Sequence, residues 1–338
     1  MPRSLVFALG LALSMLTFAV PALACGGLIG PNGAVNLLRT TTFVGYHDGV
    51  EHYVTAFQFA GGGGKFGSLT PLPGVPSNVE KGGSWTLQRL IRETQPVKVL
   101  APAAFGAARS DAVEVLLETK IDALDITVLK GGGAAVGEWA TAHGFRLPAD
   151  APEVLDFYAN RSPIFLAAAF DGDAAAARGQ RIGDGTPVHI TIPTANPWVP
   201  LRILALGKQG NDPVQADVYL LTDRKPAILP LARGANGLTL AYDQTASKPL
   251  LDDLRSDAGM GWVPANGWLS QLRIDTNAST LSYDLAVDVQ GHSPSRVAAG
   301  LETPGSSDPT PIALTMLAAA MAALILVAVR EQRRTVLA

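Results

Sequence analysis

The 338 residues are 48% hydrophobic and carry a formal net charge of −3, from 26 basic and 29 acidic side chains, with one cysteine. A single cysteine excludes an intrachain disulfide, so stability has to come from packing. No Lys/Arg cluster interrupts the middle of the chain, and no nucleic-acid partner is expected.

The chain starts with Met1-Pro-Arg3, the apolar run Leu5–Val20, Pro21 and then Ala22-Leu23-Ala24 ahead of Cys25. A positive start, an apolar stretch and small residues at the cut predict a cleaved signal peptide over 1–24. The alternatives are an uncleaved helix over Leu5–Ala24 and a lipid on Cys25. For the latter, Ala22 stands where a lipobox carries a branched aliphatic. The extracytoplasmic domain then spans 25–290. Without the terminal segments, which hold four of the 26 basic residues and one of the 29 acidic ones, the remainder carries −6.

Strand signals dominate that domain. Val35–Tyr46 and Val50–Ala60 are β-branched and aromatic runs around His47-Asp48-Gly49, a hairpin turn. Ser84 is expected to cap a helix running to Gln95, with Pro96 as its stop. Ala112–Thr119 and Leu124–Lys130 read as a second hairpin. Helices are expected at Ala134–His143, closed by Gly144, and at Asp150–Asn160, with Pro152 in its first turn. Further strands are expected at Pro163–Phe170, Pro187–Pro193, Leu201–Leu206, Gln215–Thr222, Leu238–Tyr242, Leu269–Ile274 and Leu281–Val289, and a last helix at Leu250–Asp257.

The Gly-, Ala- and Asp-rich stretch Asp171–Gly185 reads as a surface loop that would divide subdomains 25–170 and 186–290. Strands and helices do not alternate regularly, so the fold class is α+β, mainly antiparallel β with a few helices. Residues 291–310 are Ser-, Pro- and Gly-rich and read as a flexible stalk. Pro311–Val329 is apolar apart from Thr315 and leads at once into Arg330, Arg333 and Arg334. As a helix Ile312–Val329 rises about 27 Å, close to the thickness of a bilayer's hydrocarbon core. A single-pass C-terminal transmembrane helix over 311–329 and a cytoplasmic tail over 330–338 follow from the positive-inside rule.

Ala24-Cys-Gly-Gly27, Leu69-Thr-Pro-Leu-Pro-Gly-Val-Pro76 and Leu124-Asp-Ile-Thr-Val-Leu129 stand in one order with Trp139, His143-Gly-Phe-Arg-Leu-Pro148 and Leu155-Asp-Phe-Tyr158. In this the chain resembles domain-of-unknown-function family 2330 of bacteria, more clearly in its first half. The resemblance implies export and a shared fold, and transfers no catalytic residue.

Few constellations carry chemistry. A two-residue turn at Asp48-Gly49 pairs His47 with Val50 and Gly45 with His52, placing both histidines on one face and Glu51 on the other, beside Tyr46. Two imidazoles are the start of a zinc or copper site, so His47 and His52 are the candidate metal ligands, against the plainer reading of an exposed hairpin tip. Asp171, Asp173 and Asp184 lack the spacing of a calcium loop. The glycine runs 61–64 and 131–133 lack a phosphate-loop ending. No nucleophile elbow occurs, and no cofactor is expected. His189 reads as a satisfied or partly exposed mid-strand histidine, while Trp262 and Trp268 flank a loop able to offer a binding surface. The expected function is therefore a membrane-anchored binding domain for an envelope protein or glycan. The alternative is an extracytoplasmic metal-dependent enzyme or hydrolase.

Overall fold

The alternating runs become strands, and three sheets gather them. The computed structural model describes residues 27–30, 33–34, 40–58, 65–94, 114–179 and 185–305. The signal peptide, Cys25, the glycine run 61–64, Asp184, the helix over 311–329 and the tail lie outside the described residues. Among the described residues no helix is long and apolar enough to cross a membrane.

The first half supplies β1 (Gly27–Gly30), β2 (Gly33–Ala34), β3 (Thr40–His47), β4 (Val50–Gln58), β5 (Lys65–Pro71), β6 (Asn78–Lys81), β7 (Glu114–Ile121), β8 (Leu124–Lys130) and β9 (Ile164–Asp171). Its helices are α1 (Thr86–Thr94), α2 (Gly133–Ala142), α3 (Ala151–Ala159) and α4 (Gly172–Ala177). The second half adds β10 (Gly185–Pro193), β11 (Trp198–Val199), β12 (Pro213–Thr222), β13 (Ala227–Leu229), β14 (Leu238–Thr245), α5 (Lys248–Ser256), β15 (Trp268–Asn277) and β16 (Leu285–Asp288). The result is α+β with mostly antiparallel pairing, as the patterning predicts.

A seven-stranded sheet runs β14-β15-β12-β3-β4-β10-β6, a six-stranded sheet β2-β1-β5-β9-β8-β7, and a small one β11-β16-β13. Only β12 and β3 pair in parallel among the described strands. Period-two alternation sorts the side chains of the large sheet. Val44, Tyr53, Val188, Ile190, Val218 and Leu220 meet Ile126, Val128, Leu166 and Ala168 of the six-stranded sheet. On the opposite face Phe43, Val54, Tyr219, Leu221 and Leu269 lie under Leu90 of α1 and Leu250, Leu251 and Leu254 of α5. The outer face of the six-stranded sheet places Leu129, Phe165 and Ala167 against Val136, Trp139, Val154 and Leu155 of α2 and α3. Four layers result: helices, sheet, sheet, helices.

Three local expectations are corrected. The strand expected at Leu201–Leu206 is a 3-10 turn at Arg202–Ala205, because the buried Asp284 carboxylate takes the backbone N–H of Leu201 and Arg202 at 2.7 and 3.0 Å. Those donors are thereby lost to any ladder. The loop expected from Asp171 contains α4, whose N-terminus is capped by Asp171 Oδ1 accepting from Asp173 and Ala174. The first part of the expected stalk is packed rather than free: Ala298 and Ala299 are buried, and Ala299 accepts from Asp284 N at 2.9 Å.

A buried clamp ties this end to the domain. The Arg161 guanidinium pairs with Asp284 Oδ2, and its Nη1 donates to Ala298 O at 2.8 Å. It also lies over the rings of Phe157, Tyr158 and Trp198 at 4.2, 4.9 and 4.8 Å. Tyr158 OH donates to Asp284 Oδ1 at 2.8 Å and accepts from Ile203 N at the same distance. Every strong donor and acceptor of the cluster is used, which is what makes a buried charge pair tolerable.

Candidate functional site

The hairpin β3–β4 forms in the expected register, with Gly45 opposite His52, Tyr46 opposite Glu51 and His47 opposite Val50. Asp48 and Gly49 both have positive φ, +49° and +78°, as a type I′ turn requires. His52 thus faces the helical layer and Glu51 the inter-sheet core.

His52 and His47 share that face, but no bond joins them. His47 Nδ1 lies 2.7 Å from Asp223 Oδ1 and its Nε2 3.4 Å from Asp48, so both ring nitrogens face carboxylates near the surface. His52 turns to a residue 137 positions away: its Nδ1 is 3.0 Å from His189 Nε2. His189 Nδ1 in turn reaches Glu80 Oε1 at 3.2 Å. The register explains the chain of contacts, since β10 lies between β4 and β6, placing Thr191 opposite His52 and Glu80 opposite His189.

Trp262 closes the cluster from above. Its indole stacks on His52 with centroids 3.8 Å apart and planes 3° from parallel. Gly45 makes that approach possible, because a Cβ there would stand 1.9 Å from the indole. Gly259, at φ +75°, lets the same loop pass the Glu80–His189 contact. The carboxylate at the start of that loop is also engaged: Asp257 accepts from the backbone N–H of Ser84, Trp85 and Thr86 and from Thr86 Oγ1. It caps α1 from 171 residues away, in the place expected for Ser84.

The tautomers follow from the partners. A carboxylate only accepts, so His189 Nδ1–H donates to Glu80. Burial lowers the His189 pKa despite the neighbouring carboxylate, which keeps the ring neutral with a lone pair on Nε2. His52 Nδ1–H then donates to that lone pair. Burial, followed by the positive influence of His189 and His47, pushes the His52 pKa down to about 3. The hydrogen bond of His52 among the described residues is made through Nδ1, leaving the Nε2 lone pair without one, and Trp262 Nε1 is buried without a partner. Among the described residues no group of three or more His, Cys, Asp or Glu side chains converges as for a metal ion.

On the other face of β4, Glu51 is fully buried, and desolvation raises its pKa to about 8 against one hydrogen bond from Trp198 N at 3.3 Å. Its Oε1 has no partner among the described residues. Nearby, Tyr46 is raised by burial first and by Glu51 and Asp288 next. Tyr46 and Asp288 help line a polar cavity of about 200 Å³.

The local sequence pattern points to His52 and gives His189 and Trp262 plainer roles. Glu80 sits in a four-residue strand with no hydrophobic alternation to flag it.

No curated protein matches the chain. Among solved structures, the crystal structure of baculovirus P35 is 9% identical, with a TM-score of 0.39, over 74% of this chain and 96% of that one. The caspase-8/P35 complex gives 8% and 0.38 over 74% of this chain and 95% of that one. The family described as an uncharacterized protein conserved in bacteria, DUF2330, matches residues 19–287, and the chain belongs to that family.

Proposed function

We propose that the chain is an exported domain, held at the cell membrane by a helix over 311–329, that binds a protein or glycan of the cell envelope. The observation that carries this reading is the apolar run Pro311–Val329, free of charge and ended by Arg330, Arg333 and Arg334. The signal-peptide pattern over 1–24 puts the domain on the outer side and the tail within. Crosslinking in intact cells, with a reagent that does not cross the membrane, tests the binding half. A discrete adduct between the exported domain and an envelope component supports it. An unmodified chain beside a crosslinked control protein of the same compartment refutes it.

A second reading, an extracytoplasmic metal-dependent enzyme or hydrolase, is favoured by one feature. The Nε2 of His52, oriented through His189 and Glu80, has the geometry of a positioned general base, and a bound substrate would have to raise its pKa from about 3 for it to act as one. Hydrolysis of envelope material that disappears in His52→Ala while binding persists would move the assignment to this reading.

A further inference from the structure

We propose that the imidazoles of His52 and His189, beneath the indole of Trp262, form a two-coordinate site for a soft monovalent cation, copper(I) or silver(I). The inference does not rest on the anchored-binding reading: a partner screen and a metal titration fail independently.

Both rings are enclosed, with His52 8% and His189 2% exposed, and their nitrogens face one another at 3.0 Å. Glu80 holds the far nitrogen of His189 as a donor, which fixes the ring and strengthens its Nε2 as a ligand, as carboxylates do behind metal-bound histidines. His52 presents a second lone pair once its proton moves from Nδ1 to Nε2, the nitrogen with no protein partner. That tautomeric shift releases no net proton and involves no change of oxidation state. The cation takes the place of the shared proton between the rings. Two metal–nitrogen bonds of about 2 Å in line need about 4 Å, so the rings part by roughly 1 Å on binding.

The donor set selects the ion. Zinc in a structural site wants four ligands, and calcium or magnesium wants six or more oxygens. Among the described residues no third His, Cys, Asp or Glu joins the pair in a metal-sized group. Two neutral imidazoles and an aromatic face suit a soft ion content with few ligands. The indole, 3.8 Å from His52 and almost parallel to it, also keeps water from competing for the ion.

The test uses the full chain in detergent, carrying Cys25→Ser so that a soft thiolate does not compete. Silver(I) nitrate is titrated directly, and copper(I) in competition with a chromophoric chelator. One saturable equivalent is expected, with a quenching of tryptophan emission that Trp262→Phe removes. His52→Ala and His189→Ala each abolish binding, His47→Ala retains it, and Glu80→Gln weakens it about 10- to 100-fold. Because the alanine variants delete buried rings, ring nitrogen NMR shifts are also read without them: binding moves His52 Nδ1 and His189 Nε2. No saturable equivalent, unmoved ring nitrogens, or full binding in the folded double-alanine variant overturns the site.

Discussion

Glu51→Gln should flatten the pH dependence of stability between about pH 4.5 and 8. In the folded chain the carboxyl is fully buried and ionises only near pH 8, against a reference value of 4.5. Between those values the native state keeps a proton that the unfolded state has released, so stability falls as pH rises. The contribution is complete below pH 4.5 and gone above pH 8. A shift of roughly 3.5 units corresponds to about 5 kcal/mol over the interval, near 1.4 kcal/mol per pH unit. That is a large share of the 5–15 kcal/mol typical of a folded domain. Glutamine is nearly isosteric and neutral throughout, so it removes this term while preserving an acceptor for Trp198 N. Urea unfolding at pH 5, 6, 7 and 8, followed by tryptophan emission, gives the difference between the two proteins. That difference isolates Glu51 from His52, whose lowered pKa makes stability rise with pH between about 3 and 6.5. Glu51→Gln should gain on the parent at each step toward pH 8. Parallel profiles would refute the assignment of a protonated buried carboxyl.

Asp284→Ala strips the acceptor from Arg161, Tyr158, Leu201 and Arg202 at once. Leaving a buried guanidinium without its carboxylate should cost about 3–5 kcal/mol in denaturant unfolding, and a loss under 1 kcal/mol would show the clamp to be incidental. Gly45→Ala drives a methyl into Trp262, so the indole must leave His52. Diethylpyrocarbonate should then modify His52 faster than in the parent, and an unchanged rate would mean that Trp262 does not shield the ring.

Local patterning carried the hairpins and most helices, because alternation and turn residues are read within a few positions. Leu124–Lys130 falls where its β-branched run predicts, and the Asp48-Gly49 turn fixes which face His52 takes. Distant partnership was not legible. His52 meets His189 only because β10 inserts beside β4, and neither strand states its neighbour. Asp257 caps α1 across 171 residues, a role local spacing gives to Ser84. Asp284 overrides the strand propensity of Leu201–Leu206 by taking backbone donors, an effect invisible until the tertiary fold delivers its carboxylate. Lys65–Pro71 gives no strand signal because its Gly-Ser-Leu-Thr centre lacks alternation, yet it pairs along its length with β9.

The most direct test of the proposed location and anchor is the distribution of a chain ended after Ser307, compared with the full chain, between membrane and soluble fractions of cells. The full chain should sediment with membranes even at high salt, since apolar burial is not screened, and external protease should degrade its domain while sparing the tail after Arg330. The shortened chain should be released outside the cytoplasm as a folded soluble protein. If it still sediments with membranes, the anchor lies in a retained 1–24 segment or a lipid on Cys25, and the helix over 311–329 is not what holds the domain.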